Sequence, residues 1–207
     1  MMSSTSNFYY VHDPMCSWCW AHFPEWQKLE TGLLDIVPVQ YVLGGLAPDC
    51  DLPMSSAQQE TISGYWQKIN TLLGTKFNFK FWSENIPRRS TYPACRAVLA
   101  ASGQNAMHKM NIAVQKAYYL RAMNPSDIDT HLILAEELGL NIKQFYDDLT
   151  SSKLASELQQ QLTFAQSLPI QGFPSMVLQH QDKLYPIVLD YKDHREALAQ
   201  VKKILAS

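Results

Sequence analysis

The sequence predicts an α/β fold in which a central mixed sheet is interrupted by a large all-helical insertion. Three observations predict it. Two short runs rich in aromatic and β-branched residues, 7–13 and 36–45, flank a single helical stretch. From about Gln58 to Leu149 the apolar residues recur at helical spacing with no strand signal between them. Beyond Pro174 the period returns to two.

NFYYVHD (7–13) reads as a buried strand ended by Asp13-Pro14. A helix follows from about Cys16 to Leu34, and Pro24 predicts a kink or break within it. IVPVQYVLGG (36–45) is the second strand, closed by Gly44-Gly45, so the chain opens as a βαβ unit. In the helical stretch, Ile62, Tyr65, Trp66, Ile69, Leu72 and Leu73 form one stripe, and Pro93 opens a short helix over Ala94–Ala101. Met107, Met110, Val114, Ala117 and Tyr118 mark a longer helix that ends before Asn124-Pro125. The next is capped by Asp127 or Asp129 and stopped by Gly139, and Ile142, Phe145, Tyr146 and Leu149 mark another. Leu154, Leu158, Leu162 and Ala165 lie on a helix that leads into a strand opening at Pro174. A second strand, 184–190, stands at hairpin distance across 180–183, and a C-terminal amphipathic helix carries Asp193 and Glu196 at capping-box spacing.

Composition narrows the function. The 207 residues are 46% apolar and 17% charged, as expected of a globular protein. The formal charge of −2 offers no basic field for nucleic acid or anionic membrane. No apolar run reaches the roughly 18 residues of a membrane span. The N-terminal residues MMSSTSNFYYVHD lack a basic leader and a long apolar core, so a cytoplasmic location is expected. Thiols there are kept reduced, which disfavours a purely structural disulfide.

The chemistry concentrates in DPMCSWCW (13–20). Residues i and i+3 share a helix face, so Cys16 and Cys19 can form a disulfide there. At a helix N-terminus the unpaired N–H groups favour a thiolate. The outer sulfur, Cys16, is the expected nucleophile and Cys19 the resolving thiol. Zinc would want four ligands, commonly two close pairs. Cys50 and Cys95 are solitary and no histidine completes a second pair, so no metal is expected. Trp18, between the cysteines, either contacts substrate or shields the sulfur, and Ser17 either bonds near the thiolate or helps cap the helix. Trp20 reads as core. His12 and His22 read as histidines satisfied by backbone, and Cys95 as a small buried hydrophobe. Cys50, in PDCDLP, reads as a bystander, and the methionines of 107–123 as packing.

A mixed sheet with Cys-x-x-Cys at the start of its first helix is the arrangement of a thioredoxin-like redox domain. The chain resembles the DsbA family of thiol-disulfide oxidoreductases, in particular its cytosolic FrnE-type branch. Three segments carry the resemblance: DPMCSWCW, STYPACRAVLAA (90–101), and DIDTHLILAEELGLN through GFPSMVL (127–178). Ser-Trp stands between the cysteines where periplasmic members have Pro-His. The resemblance implies a thioredoxin-like domain from 1–50 and 153–207 around a helical insertion at 51–152. It also implies a cis-proline at Pro174 facing the cysteine pair. Phe173 and Pro174 would then form the opposite, substrate-binding wall, with Gly172 allowing a substrate backbone to approach.

The expected function is thiol-disulfide oxidoreductase or isomerase, acting on protein or small-molecule disulfides. No cofactor is expected beyond the Cys16–Cys19 pair itself, with glutathione a candidate reductant. Two other classes stay open. Glutathione transferase kappa and 2-hydroxychromene-2-carboxylate isomerase share this architecture, although they usually carry serine in place of the first cysteine. A non-enzymatic binding module would use the insertion. The sequence leaves the direction of electron flow and the oligomeric state undetermined.

Overall fold

The computed structural model describes residues 6–207. Its sheet is built from β1 (Asn7–His12), β2 (Val39–Leu43), β3 (Ser175–His180) and β4 (Lys183–Ile187), in the order β2-β1-β3-β4. β1 runs parallel to β2 and antiparallel to β3, and β4 is antiparallel to β3, so the sheet is mixed. Helix α1 (Ser17–Leu33) crosses between β1 and β2. Six helices then intervene: α2 (Ser56–Leu73), α3 (Phe81–Glu84), α4 (Tyr92–Ser102), α5 (Met107–Arg121), α6 (Ile128–Glu137) and α7 (Ile142–Leu149). The long α8 (Ser152–Ser167) returns the chain to β3, and α9 (Arg195–Leu205) closes it. This is a thioredoxin-like fold.

β1 lies between two partners and is covered on both faces, which is why its run is nearly all apolar. Phe8 and Tyr10 pack with Trp26, Leu29 and Leu33 of α1 and with Val201 of α9. Tyr9 and Val11 face the other way, onto Ala165 and Leu168. The helices share a third cluster around Trp66, Phe81, Val98, Met110 and Tyr119. α8 joins the two regions, giving Leu154, Leu158 and Leu162 to the helical core and Ala165 to the sheet. The β3–β4 hairpin turns through Gln181 (φ 49°) and Asp182 (φ 61°), two left-handed residues as a two-residue turn of the primed type requires. Pro186 is tolerated because β4 is an edge strand.

Several sequence expectations need correction. α1 is not broken at Pro24; it runs unbroken from Ser17 to Leu33. Trp26, Leu29 and Leu33, all beyond the proline, are at most 1% exposed, and their burial holds the second half in line despite the lost hydrogen bond. β2 starts at Val39 because the N–H groups of Ile36 and Val37 still bond to Leu33 at the end of α1. The stripe on α2 splits: Trp66 and Ile69 are buried, whereas Tyr65 and Leu72 are exposed. Asp127 occupies the N-cap of α6 but makes no side-chain cap, its carboxylate being taken by Arg88. The C-terminal capping box does not form either. The N-cap is His194, and Asp193 instead accepts from the backbone and guanidinium of Arg195.

The buried histidines make the fold acid-sensitive. His131 is 1% exposed, its Nε2 bonds the Pro125 carbonyl at 2.9 Å, and burial lowers its pKa from 6.5 to about 4. Between those values the unfolded chain binds a proton that the folded chain refuses. Stability therefore rises with pH across the window and is lost as pH falls through it. The full difference is on the order of 3 kcal/mol. Chemical denaturation at pH 4.5 and 7 should show the loss, and His131→Gln should reduce the pH dependence, with His12 and His22, lowered to about 3 and about 4, carrying the remainder.

Candidate active site

The site begins with a turn. Asp13 accepts from the Cys16 N–H through its carbonyl (3.0 Å) and from the Met15 N–H through Oδ1 (2.7 Å). Asp and Pro are the residues favoured at the first two positions of such a turn. It delivers Cys16 to the N-cap of α1 in an extended conformation, with no side-chain cap, and places Cys19 in the first helical turn. The first N–H groups of a helix have no partner within it, so the N-cap position stands at its electropositive end.

Sheet register brings the second half of the site alongside. Val11 pairs with Ser175, so β3 begins where β1 ends. The segment before β3 therefore meets the Asp13–Cys16 turn. The Phe173–Pro174 peptide is cis, and the Phe173 carbonyl accepts from Cys16 Sγ at 3.4 Å. β2 continues through Gly44, whose N–H bonds the His12 carbonyl at 2.8 Å. The Phe173 ring lies over this glycine: a Cβ at Gly44 would stand 2.0 Å from Phe173 Cε1. Gly44→Ala must displace the ring and with it the carbonyl against Cys16. Overpacking of this kind costs roughly 1–3 kcal/mol. The expected result is a lower melting temperature together with altered Cys16 alkylation kinetics; a lower melting temperature with unchanged kinetics would contradict this coupling.

Beside Cys16 opens a cavity of about 460 Å³, within the usual range for small-molecule sites. It is lined by Trp18 of α1, by Phe173, by Thr61, Ile62 and Tyr65 of α2, and by Arg89. Tyr65, placed in the core by helical spacing, is thus a cavity residue. Trp18 is half-buried and leans on Tyr191, ring centroids 5.2 Å apart.

The electrostatics separate the two cysteines. Burial first, then the neighbouring Cys16 sulfur, push the Cys19 thiol well up. Cys16 is 6% exposed and Cys19 2%. Cys50 is more exposed than either, and Cys16 borders the cavity.

Beneath the turn lies a group the sequence reading passed over. The Asp13 side chain is fully buried, and Oδ2 accepts from the Leu46 N–H (2.8 Å), the Thr91 hydroxyl (2.7 Å) and the Cys95 thiol (3.7 Å). Desolvation raises its pKa against these donors. The only sequence signal was the Asp-Pro pair, which reads as a strand terminator. Tyr191 was also missed, since a lone tyrosine in a loop carries no pattern.

The remaining candidates fall into place around this. Ser17 is buried in the first turn of α1 and lines the cavity. Trp20 stacks on Tyr119 at 5.7 Å, as core, and donates from Nε1 to the Lys76 carbonyl. His12 and His22 are held neutral by burial, with pKa values of about 3 and about 4. His22 has the backbone partner expected of it, at Asp190, and its Nδ1 lies 3.3 Å from the Tyr10 hydroxyl, whereas His12 Nδ1 has no partner among the described residues. Cys95 is fully buried but is more than a small hydrophobe, because its thiol bonds Asp13. Gly172 is not required sterically; a Cβ there would meet nothing within 4 Å. Among the described residues no three histidine, cysteine or acidic side chains converge as metal ligands, and no helix is long and apolar enough to cross a membrane.

A family model described as thioredoxin matches residues 8–192. The chain belongs to the thioredoxin family. Within that family its fold is that of the DsbA-type oxidoreductases. A Nitrosomonas europaea protein described as a candidate protein disulfide isomerase superposes with a TM-score of 0.83 at 23% identity, over 98% of each chain. The cytosolic disulfide reductase DsbM of Pseudomonas aeruginosa, solved with GSH, superposes at 0.73 with 20% identity, over 97% of this chain and 100% of its own. Among curated proteins, the ClpXP adapter protein SpxH of Halalkalibacterium halodurans is 25% identical over 171 residues, 80% of this thioredoxin-family chain and 56% of SpxH. The chain spans little more than half the length of the curated relatives it matches.

Proposed function

We propose that this protein is a cytoplasmic thiol-disulfide oxidoreductase working through Cys16 and Cys19 on protein or small-molecule disulfides. Cys16 attacks one sulfur of the substrate disulfide and expels the other as a thiolate, leaving a mixed disulfide. Cys19 then loses its proton and attacks Cys16 Sγ, releasing the second substrate thiol. The substrate gains two electrons and two protons, and the enzyme pair becomes the disulfide. Phe173 and Pro174 form the wall against which the substrate chain lies, and Trp18 its outer side.

The observation that carries this reading is the meeting of an uncapped helix N-terminus at Cys16 with the Phe173 carbonyl, 3.4 Å from its sulfur, at the mouth of a cavity. Support also comes from the cytosolic disulfide reductase among the structural neighbours. Insulin reduction, set beside a glutathione-conjugation assay, tests the class. Turnover of insulin with a thiol reductant is expected, and conjugation without disulfide reduction would instead select a glutathione transferase or isomerase. The reduction potential of the pair fixes direction: a value near about −270 mV marks a reductase and one near about −120 mV an oxidant. The SpxH relatives favour a second reading, a binding adapter, which predicts no turnover in either assay.

A further inference from the structure

The cavity beside Cys16 holds one charged side chain in its lining, and that side chain lacks a partner. Arg88, Arg96, Arg121 and Arg195 each bond a carboxylate, respectively Asp127, Asp49, Glu137 and Asp193. Arg89 alone among the arginines has no ion pair and no hydrogen bond among the described residues, although it is half-buried. No acidic residue lines the cavity with it. A guanidinium kept partly out of water without an anion loses hydration and gains nothing in return, unless an anion arrives with the ligand.

The backbone explains how it comes to face inward. Arg88, its neighbour, forms an isolated bridge with Pro53, while the Pro87 carbonyl accepts from the Met54 N–H at 2.8 Å. Arg88 also donates to the Ser126 carbonyl at 2.8 Å and pairs with Asp127. One arginine therefore anchors the loop on the far side and leaves the next to the cavity. The charge of Arg89 is felt by the buried Tyr118 phenol, which it pulls against the upward push of desolvation.

We infer that Arg89 is a specificity-determining residue that binds a carboxylate of a small, carboxylate-bearing disulfide, of which oxidised glutathione is the probe of choice, while Cys16 attacks its sulfur. This rests on the oxidoreductase reading above. Arg presents a planar fork that matches a carboxylate, and such charge-assisted bonds contribute about tenfold to a hundredfold in affinity. The apolar walls, Ile62, Tyr65 and Phe173, supply contact without competing charge. In the exchange two thiols of the enzyme become one disulfide, and one disulfide of the ligand becomes two thiols.

The test is a ratio. The reduced protein is oxidised by oxidised glutathione and, separately, by bis(2-hydroxyethyl) disulfide, which carries no charge, and both second-order rates are measured by acid quench and mass spectrometry. Taking the ratio of the two rates within each variant cancels the fraction folded. Arg89→Gln should lower the ratio by about tenfold or more, and Arg89→Lys by less, because charge survives but the fork does not. The wild-type preference should also weaken with salt. A ratio unchanged in Arg89→Gln, or both rates falling in step, overturns the assignment while leaving the redox reading intact. A wild-type pair that exchanges with neither disulfide overturns both.

Discussion

Replacing Cys16 with alanine will abolish insulin-disulfide reduction, a fall on the order of 10³-fold or more, because the step has no other nucleophile placed to begin it. Cys19 cannot substitute: it is 2% exposed, and burial holds its thiol well up. Cys95 is fully buried and bonded to Asp13. Cys50 is accessible, but it lines a different cleft, with Asp49, Asp51 and Arg96. Cys50→Ala is therefore the informative control and should stay close to the unaltered protein. Retained turnover in Cys16→Ala would mean that the reaction proceeds elsewhere.

The second large effect is on stability. Asp13→Ala is expected to cost about 3–5 kcal/mol, which for a chain of this size lowers the melting temperature by roughly 10–15 °C. The residue ties three parts of the molecule at one point. Met15 belongs to the turn before α1, Leu46 to the segment after β2, and Thr91 and Cys95 to the start of α4. Removing the carboxylate leaves these donors buried without an acceptor, and each orphaned group costs on the order of 1–3 kcal/mol. Because the turn that presents Cys16 is held by the same side chain, the variant should also alkylate differently at Cys16. Differential scanning calorimetry with peptide mapping measures both. A loss under about 1 kcal/mol would contradict the view that Asp13 fastens the helical region to the turn that presents Cys16.

What the sequence disclosed follows from the range of the interactions involved. The strands, the helical stretch and the Cys-x-x-Cys turn are set by local periodicity and by residues three apart, and each was legible. The hairpin was readable too, although Gln181 and Asp182 adopt left-handed conformations that no glycine announced. The caps failed where a distant partner intervened: Asp127 is taken by Arg88, which no local pattern could foresee. Pro24 failed as a breaker because burial beyond it outweighs the missing hydrogen bond. The site split in the same way. As candidates, Cys16 and Cys19 are singled out by spacing and Phe173 and Pro174 by resemblance, whereas Asp13, Gly44, Tyr65 and Arg89 acquire their places only through tertiary contact. Sequence alone marks Gly44 as the end of a strand, and its other role, making room for the Phe173 ring, depends on a residue far along the chain.

In the proposed mechanism Cys16 attacks and Cys19 resolves. Mapping the adduct that Cys19→Ala forms with oxidised glutathione at neutral pH decides that order. The expected product is a stable mixed disulfide on Cys16, released by dithiothreitol and absent from Cys16→Ala. An adduct found on Cys50 or Cys95 instead, or none at all in a folded Cys19→Ala protein, would contradict it.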